Sequence, residues 1–258
     1  LFLVEPGHTH YDVRFQVLGI PVRVHPWFWL AAALFGGMGS FRGLSTLNVM
    51  ALGIFAVFVS ILIHELGHAL VMKAFGDSPS IVLYLMGGLA IPDRGGSWSF
   101  SSPRRRSPVD QIIISAAGPG AGFLFAGLIV VLLKLFADVS VHVEQFMPVF
   151  EIELKSPYLF LLVHFLLYIN IFWGIVNLLP VYPLDGGQIA QQLLIMNDPW
   201  GGMRKCLLLS TIVGGVTAFA SFSYFGNMFM GMMFASLAAS SFMALQQMGT
   251  FGGGRGPW

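Results

Sequence analysis

The sequence predicts an all-α polytopic membrane protein, with about six transmembrane helices and a short membrane-associated β-hairpin. Three observations carry that prediction. Hydrophobic residues make up 56% of the 258 positions and charged ones only 10%, with a mean hydropathy of +0.77, which is foreign to a soluble globular domain. Several apolar runs reach or pass the roughly 20 residues that span a bilayer. Ten of the 13 basic residues gather on one side of a chain that alternates across a membrane. A net charge of +1 draws the chain to no polyanion, so the expected partner is the lipid bilayer and not nucleic acid. Cys206 is the single cysteine, which excludes an internal disulfide framework and a cysteine-built zinc knuckle.

The elements follow in order. Residues 1–24 are mixed in character and read as a cytoplasmic or interfacial segment. Leu1 to Gln16 is polar, with Glu5, Asp12 and Arg14, and does not read as a signal peptide; the chain begins on Leu, so the true start is expected to lie upstream or to have been removed. Trp27, Phe28 and Trp29 mark the membrane interface and open a first, short span from Pro26 to Met38. The second span runs from Leu47 to Phe75. Ile81 to Ile91 is too short to cross, and its β-formers flank Gly87-Gly88, so it reads as a hairpin. The third span is Val109 to Phe136, whose Ala117-Gly118-Pro119-Gly120-Ala121-Gly122 stretch permits close helix contact. Tyr158 to Leu179, Met203 to about Phe225, and Asn227 to Leu245 complete the set. The spans define one transmembrane domain over 25–248, followed by a Gly-rich tail over 249–258.

Orientation follows from charge. With the N-terminus in the cytoplasm and six spans alternating, Arg14, Arg23, Lys73, Arg94, Arg104, Arg105, Arg106, Arg204, Lys205 and Arg255 are cytoplasmic; only Arg42, Lys134 and Lys155 fall outside. Both termini are then expected in the cytoplasm. The Glu-bearing loop Ala137 to Pro157 lies outside.

Chemistry concentrates in His64-Glu65-Leu66-Gly67-His68, late in the second span. Residues four apart share one helical face, so His64 and His68 can offer two imidazoles to one metal ion. Glu65 sits one position round, placed to act on water without being a ligand. A structural histidine pair is the plain alternative, but two imidazoles and a carboxylate are costly at membrane depth unless something binds them.

Hydrolytic zinc sites commonly take three protein ligands. Asp185, His25, His142 and His164 are candidates for the third. His142 and His164 fall near the outer surface, and His25 precedes the first span. Asp185 lies at the cytoplasmic end of the fourth span, in a segment broken by Pro180, Pro183, Gly186 and Gly187. Irregular backbone at that depth is tolerated only where it is buried or lines a wet cavity. Asp185 is therefore the expected third ligand, against the alternative of a helix cap.

His64-Glu65-Leu66-Gly67-His68, followed by Asn177-Leu178-Leu179-Pro180 and Leu184-Asp185-Gly186-Gly187, resembles the site-2 protease family of intramembrane zinc metalloproteases. The likeness covers about Gly19 to Gln192, with lesser matches at Val24-His25-Pro26, Gly87-Gly88 and Ala117-Gly118-Pro119. Gly122 departs from the pattern, because many relatives carry Asn there. The resemblance implies a compact member without PDZ or CBS modules, in the bacterial cytoplasmic membrane, acting near the cytoplasmic side in regulated intramembrane proteolysis. It implies Zn2+ held by His64, His68 and Asp185, Glu65 as general base, and Asn177 as hydrogen-bond donor to the reacting carbonyl unless it only caps a helix. Gly87 and Gly88 are the expected substrate-docking edge, or else a hairpin merely packed on helices. The implied substrate is a membrane-tethered, single-span regulator. The other class open to such a sequence is a non-proteolytic zinc-binding membrane protein, a pseudoprotease or a transporter. The glycines at 214–215 and from Gly226 to Gly231 suit either a gate or a joint between protomers of a homo-oligomer.

Overall fold

The structure is a computed structural model and describes residues 7–36, 44–84, 87–92, 106–136, 139–144, 147–152 and 154–251. Arg104, Arg105 and most of the tail expected over 249–258 lie outside them. The chain divides into two compact units, Leu1–Ser101 with Ala117–Ile175, and Ser102–Ala116 with Val176–Trp258.

The first unit opens on β1 (Val13–Val17) and β2 (Ile20–Val24). Leu18 and Gly19 both have positive φ, 52° and 73°, the two-residue turn whose twist suits a tight antiparallel hairpin. Next come α1 (Pro26–Gly36), α2 (Thr46–Ala74), β3 (Pro79–Tyr84) and β4 (Gly87–Pro92). The strands form one sheet in the order β1-β2-β3-β4, with β2 and β3 parallel and the other pairs antiparallel. The expected hairpin is thus real, and it is half of a larger sheet: residues 13–24, read from sequence as an interfacial segment, supply the other half. Parallel pairing of Val22 with Ile81 and Val24 with Leu83 has no local signature, because the crossover through α1 and α2 separates the partners.

Burial explains the arrangement. Ile20, Val22 and Val24 of β2, Ile81 and Leu83 of β3, Phe28 and Ala32 of α1, and Val57 and Ala69 of α2 make one core. Phe28, Trp29 and Phe58 add edge-to-face and stacked ring pairs at centroid distances of 5.4–6.1 Å. α2 stops because Gly76 takes φ 92°, which lets the amides of Gly76 and Asp77 turn back to the carbonyls of Lys73 and Met72. Lys73 Nζ then donates to the Leu18 carbonyl at 3.0 Å, tying the β1–β2 turn to the helix end. On the same sheet Arg23 donates to Asp12 Oδ2 at 3.2 Å.

α3 (Pro108–Phe136) contributes Ala117 onward to this unit. β5 (Val139–Glu144) and β6 (Met147–Ile152) form a second hairpin where the sequence suggests only a loop. α4 (Pro157–Tyr168), whose first turn is capped by the Ser156 hydroxyl, runs on through a π-helical segment, Ile169–Trp173.

The second unit holds α5 (Gly174–Asn177) from Val176 on, and then α6 (Asp185–Asn197), α7 (Gly202–Ser223) and α8 (Met228–Phe251). α7 meets α8 where Gly214 faces Ala238 and the Phe234 carbonyl, the close approach that small residues permit in lipid. Among the described residues, five helical stretches are long and apolar enough to cross a membrane: Thr46–Ala74, Pro108–Leu135, Pro157–Asn177, Gly202–Ser223 and Met228–Met248. α1, the sixth expected, has 11 described residues, or about 16 Å of rise; the continuation to Met38 lies outside the described residues. The protein is an integral membrane protein.

Candidate metal centre

α2 places His64 and His68 one turn apart. Their rings stand nearly perpendicular, at 80°, with Nε2 atoms 3.1 Å apart. At that separation the two nitrogens address a single point. α3 makes room for them: a Cβ at Gly118 would collide with Nε2 of both His68 and His64. Gly67, between the two histidines, is pressed against the Ala117 carbonyl and the Ala121 methyl. The small residues of the third span therefore bring its backbone against the imidazoles. Their spacing was visible in the sequence; what they face was not.

Glu65 is buried. A Cβ at Gly88 would overlap its Cγ, Cδ and Oε1, so β4 passes directly over the carboxylate. Tyr84, which pairs with Gly87 across the β3–β4 hairpin, is buried there. Sequence reading did not single out Tyr84. Among the described residues β4 ends the sheet, with β3 on one side only.

Asn177 is buried at the end of α5, and Asp185 is buried as the first residue of α6. The glycines after Asp185 have a steric cause. A Cβ at Gly186 would strike the Leu178 and Leu179 carbonyls, and one at Gly187 would strike Val181 and Tyr182. The broken segment therefore lies flat across the first turn of α6. Its polar backbone is met by side chains: the Tyr182 amide donates to Ser210 Oγ at 2.9 Å, and Ser241 Oγ donates to the Tyr182 carbonyl at 3.5 Å.

One ligand atom each from His64, His68 and Asp185 lie within 4.8 Å of one another, a group able to hold a metal ion. Two imidazole nitrogens and a carboxylate oxygen suit zinc with a position left open. The residues fit. The other histidines stand elsewhere. His25 accepts the Trp27 amide at 3.3 Å and caps α1. His164 stacks between Phe160 and Tyr168 along α4. His142 belongs to β5.

Residues 52–200 match the model of peptidase family M50. The chain belongs to that family. The M50 match takes in most of α2, including both histidines, with α3, the broken segment and Asp185. A zinc metalloprotease of Methanocaldococcus jannaschii is 28% identical over 208 residues, which are 79% of this chain and 51% of that protein. The chain spans about half the length of the curated relatives it matches. A solved site-2 protease from Methanocaldococcus jannaschii shares the fold, with a TM-score of 0.53 over 91% of this chain and 95% of that one, at 23% identity. Membership in M50, with the donor set above, makes zinc the metal of the centre.

Proposed function

We propose that the protein is an intramembrane endopeptidase that hydrolyses a peptide bond in or near a transmembrane segment of a membrane-tethered protein. The observation that carries this reading is the seating of Glu65, beside the paired imidazoles and under the Gly88 backbone of a sheet edge. A transporter or a structural zinc site has no use for a buried carboxylate held beneath a strand.

His64 and His68, each by an imidazole nitrogen, and Asp185, by its carboxylate, would hold the zinc. When bound, zinc polarises the scissile carbonyl and lowers the pKa of water towards neutrality. The Glu65 carboxylate takes the proton from the attacking water and passes it to the leaving amine nitrogen. The Asn177 carboxamide donates to the substrate carbonyl oxygen as negative charge develops there, a contact worth about 2.7–4 kcal/mol when well aimed.

A peptide within the bilayer is normally helical, with its amides paired and its carbonyls shielded. It must unwind to be cut. β4, with Gly87 and Gly88, offers such a segment backbone partners by strand addition. The orientation proposed from charge puts both termini in the cytoplasm and the centre near that face of a bacterial cytoplasmic membrane. A single-span regulator released into the cytoplasm is the substrate class that fits this geometry.

The test is the purified full chain in liposomes, with zinc counted per chain and cleavage of a single-span reporter followed together. About one zinc per chain is expected. Glu65→Gln should keep the zinc and slow cleavage at least about 100-fold. Unchanged cleavage by that variant overturns the assignment of Glu65, and loaded protein that cuts no reporter returns the chain to the non-proteolytic class.

A further inference from the structure

Ser60, His64 and His68 stand four residues apart and share one face of α2. α3 meets that face with glycines. Gly118 lies at the imidazoles, and Gly122, one turn further along α3, lies at Asn170. Asn170 belongs to the π-helical segment and is only 4% exposed. Such segments re-aim side chains and recur at functional sites. Its Nδ2 donates to Ser60 Oγ and to the Leu166 carbonyl, both at 2.8 Å. The Leu166 carbonyl can only accept, so this contact fixes which end of the carboxamide is nitrogen. Oδ1 then faces Gly122, 3.3 Å from where a Cβ would stand.

The nitrogen end is accounted for as a staple between α2 and α4. The oxygen end is not. Among the described residues no fully enclosed side-chain nitrogen or oxygen lacks a partner. Oδ1 accepts from none of those residues and so is not fully enclosed. An acceptor in apolar surroundings calls for a donor.

We propose that Asn170 is a substrate-binding residue whose Oδ1 accepts a backbone N–H of the extended peptide during cleavage. The proposal rests on the proteolytic reading above. Ser60 lies one helical turn, about 5.4 Å, from His64. An extended strand advances about 3.3 Å per residue, so the N–H received is about two residues from the scissile bond. An unwound peptide has amides that lipid cannot satisfy, and a fixed acceptor meets one of them whatever the side chain. Gly122 keeps the approach open.

The experiment uses the full-length zinc-loaded protein in liposomes and a synthetic single-span peptide with a central Gly-Gly pair. In a matching series each backbone amide near the cut site is replaced in turn by an ester, which deletes one N–H. At one position, about two residues from the scissile bond, the ester should lower kcat/KM about tenfold in the wild type. In Asn170→Ala the parent peptide should be cut about tenfold more slowly, and the ester should then have no further effect. Ser60→Ala removes only the staple and should keep the ester sensitivity. Gly122→Ala keeps the staple and should lose that sensitivity. An ester penalty of equal size in wild type and Asn170→Ala, or no penalty at any position, overturns the assignment of Asn170. A wild type that holds zinc and cuts no peptide of the series instead fails the proteolytic reading, and the inference falls with it.

Discussion

At the scale of single residues, the centre is defined as much by missing atoms as by ligands. Gly118 and Gly88 each occupy a place where one methyl group would displace a functional side chain, and the two make opposite predictions. Gly118→Ala pushes the imidazoles apart, so zinc should be held about 10–100-fold more weakly, read by competition with a chelator of known affinity. Gly88→Ala instead displaces the Glu65 carboxylate and leaves the histidines alone. Zinc content should then be unchanged while kcat falls about 100-fold, the cost of misplacing a reacting group by about 1 Å. Equal zinc loss in both variants would contradict this division of roles. The HExxH spacing and the Asp-Gly-Gly pattern were legible in the sequence, because each is a local fact about one helix turn. The partners of Gly88 and Gly118 were not, since an absent side chain carries no mark of what fills its space. Tyr84 went unnoticed for a related reason: a lone tyrosine in an apolar strand has no spacing to betray it.

At the scale of elements, helices and their ends follow the chain closely. Gly76 stops α2, Ser156 starts α4, and Pro180 with Pro183 falls in the broken segment ahead of Asp185. The β1–β2 hairpin carries an electrostatic anchor outside the membrane-spanning segments. Hydrogen bonds from the Thr9 side chain, outweighing the opposing effect of desolvation, and then from the Thr9 amide and Arg23, hold the Asp12 carboxyl well below its ordinary pKa. A depressed carboxylate contributes stability that is complete above its unfolded value, near 3.9, and that drains away as pH falls below it towards the folded one. The protection of amides over residues 13–24, measured against the intrinsic exchange rate at each pH, should therefore fall on acidification from about pH 5 to pH 3. Asp12→Asn should exchange faster at neutral pH and lose most of that acid response. An acid response that survives the substitution would place the sensitivity elsewhere. The β5–β6 hairpin shows the opposite limit, since two short runs around a polar turn read equally well as loop or strand until they pair.

At the scale of the whole molecule, orientation is the property that the distribution of basic residues argues most directly. In a Cys206→Ser background, a cysteine at Ser107 should react with an impermeant reagent only from the cytoplasmic side, and one at Ser140 only from outside. The reverse pattern would invert the charge argument and move the site to the other face. By itself the sequence determined the apolar spans, the face of α2 that bears both imidazoles, and the break ahead of Asp185. These follow from period, composition and backbone chemistry within a few residues. Only the tertiary structure decided that residues 13–24 complete a sheet over Glu65, that α3 lays bare backbone against the imidazoles, and that Asp185 comes within 4.8 Å of them. The reason is physical: a short stretch fixes its own conformation and its apolar face, whereas its neighbour is chosen by complementary surfaces far away along the chain.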